Sequence, residues 1–111
     1  MITKQTFYGG STIWNNPFAS VFIRDRLPAR LHVFTNKAQN TTLKLREATD
    51  VSLRLGGPTF YIINEGNYTL TVEDYDANTL FTLLPDEAAI LFLVENSSTA
   101  GKWGWRISSI V

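Results

Sequence analysis

Asn67-Tyr68-Thr69-Leu70-Thr71-Val72-Glu73 sets apolar residues at 68, 70 and 72 against polar ones at 69, 71 and 73. A period of two is the spacing at which successive side chains leave opposite faces of a strand, so this stretch reads as a strand with one dry face and one wet face. Thr, Tyr and Val are also the residues that suit a pleated, half-buried surface. Working outward, Leu43 and Leu45 alternate with Thr42, Lys44 and Arg46, and Val51, Leu53 and Leu55 alternate with Ser52 and Arg54. Residues 60–63 and 90–94 are instead apolar at every position, as expected of short strands covered on both faces. Gly56-Gly57-Pro58, Asn64-Glu65-Gly66-Asn67, residues 74–78, Pro85-Asp86-Glu87 and residues 96–101 supply the turn chemistry between them. Strands therefore recur about every 8 to 12 residues, the spacing of a sandwich or barrel. No segment carries the apolar stripe of a helix, and residues 46–50 would make one turn at most. The expected fold is all-β: a jelly-roll-like antiparallel β-sandwich of roughly seven to nine strands with an irregular N-terminal arm. An immunoglobulin-like sandwich ranks second, because its Cys, Trp, Cys signature needs cysteines that the chain lacks.

The chain has 111 residues and a mass of 12.5 kDa, enough for one domain and too little for a second of ordinary size. Within it, residues 1–30 read as an N-terminal strand with an extended arm or loop, and residues 31–111 as the sandwich. Ten basic residues balance ten acidic ones, so the net charge of +0 gives no steering toward nucleic acid or anionic membrane. No secretory or transit leader is expected from residues 1–7, and no apolar run approaches the roughly 20 residues of a membrane-spanning helix. The absence of cysteine removes disulfides and thiolate metal sites.

Residues 7–30 break the alternation. Gly9-Gly10 is followed by Trp14, Phe18 and Phe22 around Asn15-Asn16-Pro17, and then by Arg24-Asp25-Arg26 ahead of Pro28. Such a stretch is either an edge strand and loop whose aromatics fill the core or an arm docked on a partner. Aromatics with arginine are the composition enriched at interface centres, so Trp14, Phe18, Phe22, Arg24 and Arg26 are the candidate partner-binding residues.

Catalytic chemistry finds little to work with. His32 is the single histidine, there is no G-x-S-x-G elbow, and alternation places His32 on the sheet surface, opposite Leu31 and Val33. A metal-dependent site would need two or three histidines with a carboxylate. Glu65, Glu73, Asp74, Asp76, Asp86 and Glu87 read as solvated turn residues rather than a hydrolytic pair. Asp74, Asp76 and Asn78 match the opening of a calcium loop, but Thr79 stands where glycine is needed and Pro85 where the bidentate glutamate belongs. Three glycosylation sequons, at Asn40, Asn67 and Asn96, have meaning only in a secretory pathway. The expectation is therefore no catalytic residue, no cofactor, no metal and no small-molecule substrate. Trp103, Trp105 and Ile107 share one face of a closing strand, as core packing or, on a sharper reading, as a sugar-stacking platform.

Phe60-Tyr61-Ile62-Ile63-Asn64, Tyr68-Thr69-Leu70-Thr71-Val72, Leu84-Pro85-Asp86-Glu87, Ala89-Ile90-Leu91-Phe92-Leu93-Val94-Glu95-Asn96 and Trp103-Gly104-Trp105-Arg106 look like the small β-domains of tailed-phage virion proteins. With its length, the whole chain resembles the small capsid decoration proteins, also called cement or staple proteins. That resemblance implies a jelly-roll-like structural protein, made in the bacterial host cytoplasm, that sits on the outer capsid surface and ties neighbouring major capsid subunits together. It also implies a homodimer or other homo-oligomer, with no nucleic-acid or membrane partner. The runner-up is a receptor- or carbohydrate-binding module of a phage tail fibre, in which Trp103, Trp105, Tyr75 or Tyr61 would stack on sugar. A small jelly-roll enzyme encoded by the host comes third.

Overall fold

The computed structural model describes residues 3–7, 11–15, 20–22, 31–35, 39–50 and 59–109, the first three stretches as backbone alone. Ten strands run along them: β1 (Thr3–Phe7), β2 (Ser11–Asn15), β3 (Ser20–Phe22), β4 (Leu31–Thr35), β5 (Thr41–Lys44), β6 (Thr59–Asn64), β7 (Leu70–Glu73), β8 (Thr79–Leu83), β9 (Glu87–Glu95) and β10 (Lys102–Ser109). A single 3₁₀ turn, Ala48–Asp50, falls inside the one segment with helical potential. The strands form a six-stranded sheet in the order β1-β2-β4-β6-β9-β10 and a four-stranded sheet in the order β3-β5-β7-β8.

The all-β sandwich expected from the alternation is the fold that forms, with mixed rather than uniformly antiparallel pairing. From β2 to β7 the chain changes sheet at every step, so β2, β4 and β6 lie parallel in one sheet and β3, β5 and β7 lie parallel in the other. Parallel neighbours need a crossover, and here each crossover contains a strand of the opposite sheet instead of a helix. The result is a short coil of three turns. Antiparallel strands close it, with β8 folding back on β7, β9 running along β6, and β10 completing a hairpin with β9. Period-two alternation reports which face a residue occupies and carries no information on strand direction.

Between the sheets, Phe34, Ile62, Leu91 and Leu93 meet Leu43, Leu70, Val72 and Leu83, all of them buried. Burial of each such side chain contributes roughly 1.5 to 3 kcal/mol. Tyr68 does not join this face and stays exposed. The second strand expected of Val51, Leu53 and Leu55 lies outside the described residues.

Three expectations need correction. His32 is buried, facing inward beside Phe34, while Leu31 and Val33 are half-buried on the other face. Phe34 shares the parity of His32, and its ring takes that face of β4 into the core, where His32 meets Phe60 edge-on at 6.4 Å between centroids. Asp74 is not a solvated turn residue: it is buried, with Oδ1 accepting the backbone N–H groups of Asp76 at 3.0 Å and Asn78 at 2.9 Å. The third concerns residues 60–63 and 90–94. They are covered on one face, leaving Tyr61, Ile90, Phe92 and Val94 on the surface. The smaller sheet can cover one side of the larger sheet, and no described residue is left to cover the other.

Polar side chains fix the corners. Asn64, wholly buried at the end of β6, donates through Nδ2 to the carbonyls of Tyr68 (2.8 Å) and Leu83 (3.1 Å) and accepts from the Gly66 N–H (3.0 Å). The loop between β9 and β10 docks on the 3₁₀ turn and on the β7–β8 turn. There Ala48 N–H donates to the Thr99 carbonyl at 2.8 Å, and Thr99 Oγ1 donates to the Asp76 carboxylate at 3.0 Å.

Candidate interaction surface

Strands β4, β6, β9 and β10 carry the described side chains on the outer face of the larger sheet. Antiparallel register sets Tyr61 against Ile90, Ile63 against Ala88 and Thr59 against Phe92, while parallel register sets Leu31 against Tyr61 and Val33 against Ile63. Alternation on β9 sends Ala89, Leu91 and Leu93 into the core, so Ile90, Phe92 and Val94 must face out. Their exposures, 40%, 38% and 49%, together with 41% for Tyr61, belong to large apolar side chains that water still reaches. Leu31, Tyr61, Ile63, Ala88, Ile90 and Ser108 line a depression of about 410 Å³ in this face.

Phe92 is held in place by what lies across from it. Gly104 is its neighbour on β10, and a Cβ there would overlap the Phe92 ring, so the ring rests over the glycine backbone. Arg106 and Ser108 continue the outer face of β10 and give the apolar patch a polar rim. Monomeric proteins rarely leave a contiguous apolar patch of this kind uncovered, and one rimmed by polar residues marks a surface for a partner.

A second apolar surface lies on the inner side of β10. Trp103 is buried, its Nε1 donating to the Ala100 carbonyl at 3.0 Å and its ring 6.2 Å from Phe60. Trp105 and Ile107 follow on the same side but remain 40% and 39% exposed. The four-stranded sheet ends at β8, which packs across from β9, so β10 overhangs it. The Trp105 ring lies 5.4 Å from the Phe81 ring.

Of the residues singled out for partner binding, two lie among the described residues, in different sheets. Trp14 belongs to β2, opposite Phe34 in the parallel register, and Phe22 belongs to β3, opposite Lys44. Phe18, Arg24 and Arg26 lie outside the described residues. Of the turn aromatics, Tyr61 is on the outer face, and Tyr75 packs beneath the Lys44 ammonium at 5.2 Å. Ile90, Phe92 and Val94 are the surface residues that the alternation argument missed. Their signal was the unbroken apolar run itself, whose second face stays partly exposed among the described residues. Comparison with family models, curated proteins and solved structures finds nothing that matches this chain.

Proposed function

We propose that this chain is a non-enzymatic structural virion protein that binds the outside of a phage capsid and cements neighbouring major capsid subunits. The observation that carries the reading is the apolar outer face of the larger sheet, with Tyr61, Ile90, Phe92 and Val94 exposed together. A cement protein needs a rigid body and a docking surface. The two-sheet core supplies the first and this face supplies the second. Trp14, Phe18, Phe22, Arg24 and Arg26 add interface-type composition from the N-terminal segment. A net charge of zero limits repulsion between many copies on one shell, in a homodimer or a higher homo-oligomer.

Co-sedimentation with phage heads stripped of the protein tests the reading. The wild-type chain should pellet with heads, and Phe92→Lys or Ile90→Lys should bind at least about tenfold more weakly, the loss expected when a charge is buried in an apolar interface. Melting temperature should stay unchanged, since both side chains are already partly in water. Failure of the wild-type chain to pellet would overturn the reading.

Trp105 favours a second reading, a carbohydrate-binding module of a tail fibre, because an exposed indole braced on Phe81 is a stacking surface. Quenching of its fluorescence by host surface polysaccharide, removed by Trp105→Ala, would favour that alternative.

A further inference from the structure

The larger sheet ends at β10, whose second edge pairs with no described strand. Exposed edges are ordinarily blunted by charged side chains, which β10 has in Lys102 and Arg106, by proline, by inward-pointing charge or by a bulge. Lys102–Ser109 contains no proline, its inward positions are Trp103, Trp105 and Ile107, and its single irregularity lies at the very start, between Lys102 and Trp103. A regular ladder of backbone donors and acceptors therefore faces outward along most of an eight-residue strand. Such an edge takes an extended strand, because only an extended backbone matches its hydrogen-bond spacing.

The side chains specify the chemistry of that strand. Lys102 and Arg106 stand on the outer face, and β10 carries no carboxylate. Across the hairpin Lys102 already faces Glu95, whereas Arg106 meets Ile90, whose side chain offers no charge partner. Opposite charges across a pair of strands are favourable and like charges unfavourable. A second copy of β10 would bring two further cations to that face and no carboxylate. An acidic strand would neutralise them. On the inner side, Trp105 and Ile107 overhang the smaller sheet and call for apolar cover.

We propose that β10 accepts, as an added strand of the larger sheet, an extended segment of the partner protein that sets an acidic residue against Arg106 and apolar residues over Trp105 and Ile107. The proposal deepens the capsid-docking reading and rests on it for the identity of the partner.

The probe is an N-acetylated octapeptide alternating glutamate with valine, added to the intact protein and compared with its lysine and valine counterpart. The glutamate peptide should slow amide exchange over residues 102–109 by about tenfold or more, as new ladder hydrogen bonds do. Its affinity should fall as salt rises from about 50 to about 500 mM. The lysine peptide should leave exchange unchanged, and Arg106→Glu should reverse the preference. Arg106→Gln, the milder variant, should weaken the glutamate peptide by about threefold. Equal effects of the two peptides, or no protection from either, would overturn the proposal. So would protection of residues 102–109 that rises with protein concentration and a doubling of mass, which would assign the edge to a second copy. Wild-type protein that pellets with heads but ignores the glutamate peptide loses this inference and keeps the capsid reading. Protein that takes the peptide but never pellets keeps the edge and loses the capsid.

Discussion

Asn64 joins three segments of chain with one side chain. Its amide holds two carbonyls and one N–H in the dry end of the sandwich, and removing it leaves all three without their partner. Asn64→Ala should cost about 3 kcal/mol, the scale for stranded buried polar groups. Asn64→Asp separates shape from hydrogen bonding, because it puts an acceptor where the structure needs a donor. Facing the Tyr68 and Leu83 carbonyls in a buried site, the introduced carboxyl titrates above its unfolded value of about 3.9. A folded pKa raised in this way preserves stability below the unfolded value and loses it as pH rises through the folded one. Urea midpoints should therefore put this variant nearest wild type at about pH 3.5 and well below it at pH 7. A deficit that does not change with pH would show that the carboxyl escapes to water. Ala77 makes the opposite case. Its φ of 66° is left-handed, so Ala77→Gly should raise stability by about 0.5 to 1 kcal/mol in the same assay. Asn64 and Asp74 were both legible as turn residues, because their neighbours Gly66 and Asn78 are turn formers. Their burial was not legible, since it depends on which corner the other sheet covers.

Two glycines in and beside the β9–β10 hairpin differ in what surrounds them, and the difference fixes the size of two effects. Gly101 has φ +72°, and a Cβ there would overlap the Cβ of Ala48, which is buried in the 3₁₀ turn and tied by backbone to Thr99. Neither side can give way. Gly101→Ala should cost about 2 to 4 kcal/mol, combining left-handed strain with overpacking. At Gly104 the obstacle is the far end of the Phe92 ring on an open face, which can swing aside. Gly104→Ala should stay within about 1 kcal/mol of wild type while displacing that ring. Chemical denaturation of the two variants side by side checks the ordering, and equal costs would contradict it. This hairpin also marks the limit of periodicity. Residues 90–94 read as covered on both faces because every position is apolar, and Trp103, Trp105 and Ile107 read as one packed face. Among the described residues Leu91, Leu93 and Trp103 are buried and the rest stay partly exposed, because sheet width is a property of the assembled sandwich. An apolar run left open on its second face among the described residues is the sequence trace of a surface available to a partner.

At the scale of the molecule, the strand-rich alternation was readable, while the facing of β4, the open side of β6 and β9, and the coil were not. Its stacked positions Ile13, Val33 and Ile63, and likewise Val21, Leu43 and Val72, are unevenly spaced along the chain, so no repeat registers in the sequence. Parallel stacking makes the body rigid along the stack and leaves β10 as a flank, with apolar surface on its inner side and, across the hairpin, on the outer face of β9. On the capsid reading, a body of that kind would stabilise a shell by mass action. If it binds assembled heads and not free capsid subunits, each occupied site adds RT ln(1 + [L]/Kd), about 2.7 kcal/mol at a hundredfold excess over Kd. Many sites on one shell multiply the effect, so heads stripped of the protein should burst at a lower temperature than decorated heads. Adding wild-type protein back should restore the higher temperature. Phe92→Lys at the same concentration should not, although its own melting temperature is unchanged, because what it loses is the dry contact and not the fold. Release of packaged DNA on a temperature ramp, followed by dye fluorescence, reads all three preparations in one experiment. If stripped, restored and Phe92→Lys heads burst together, the protein contributes nothing to the shell, and the exposed Trp105 becomes the better guide to what it binds.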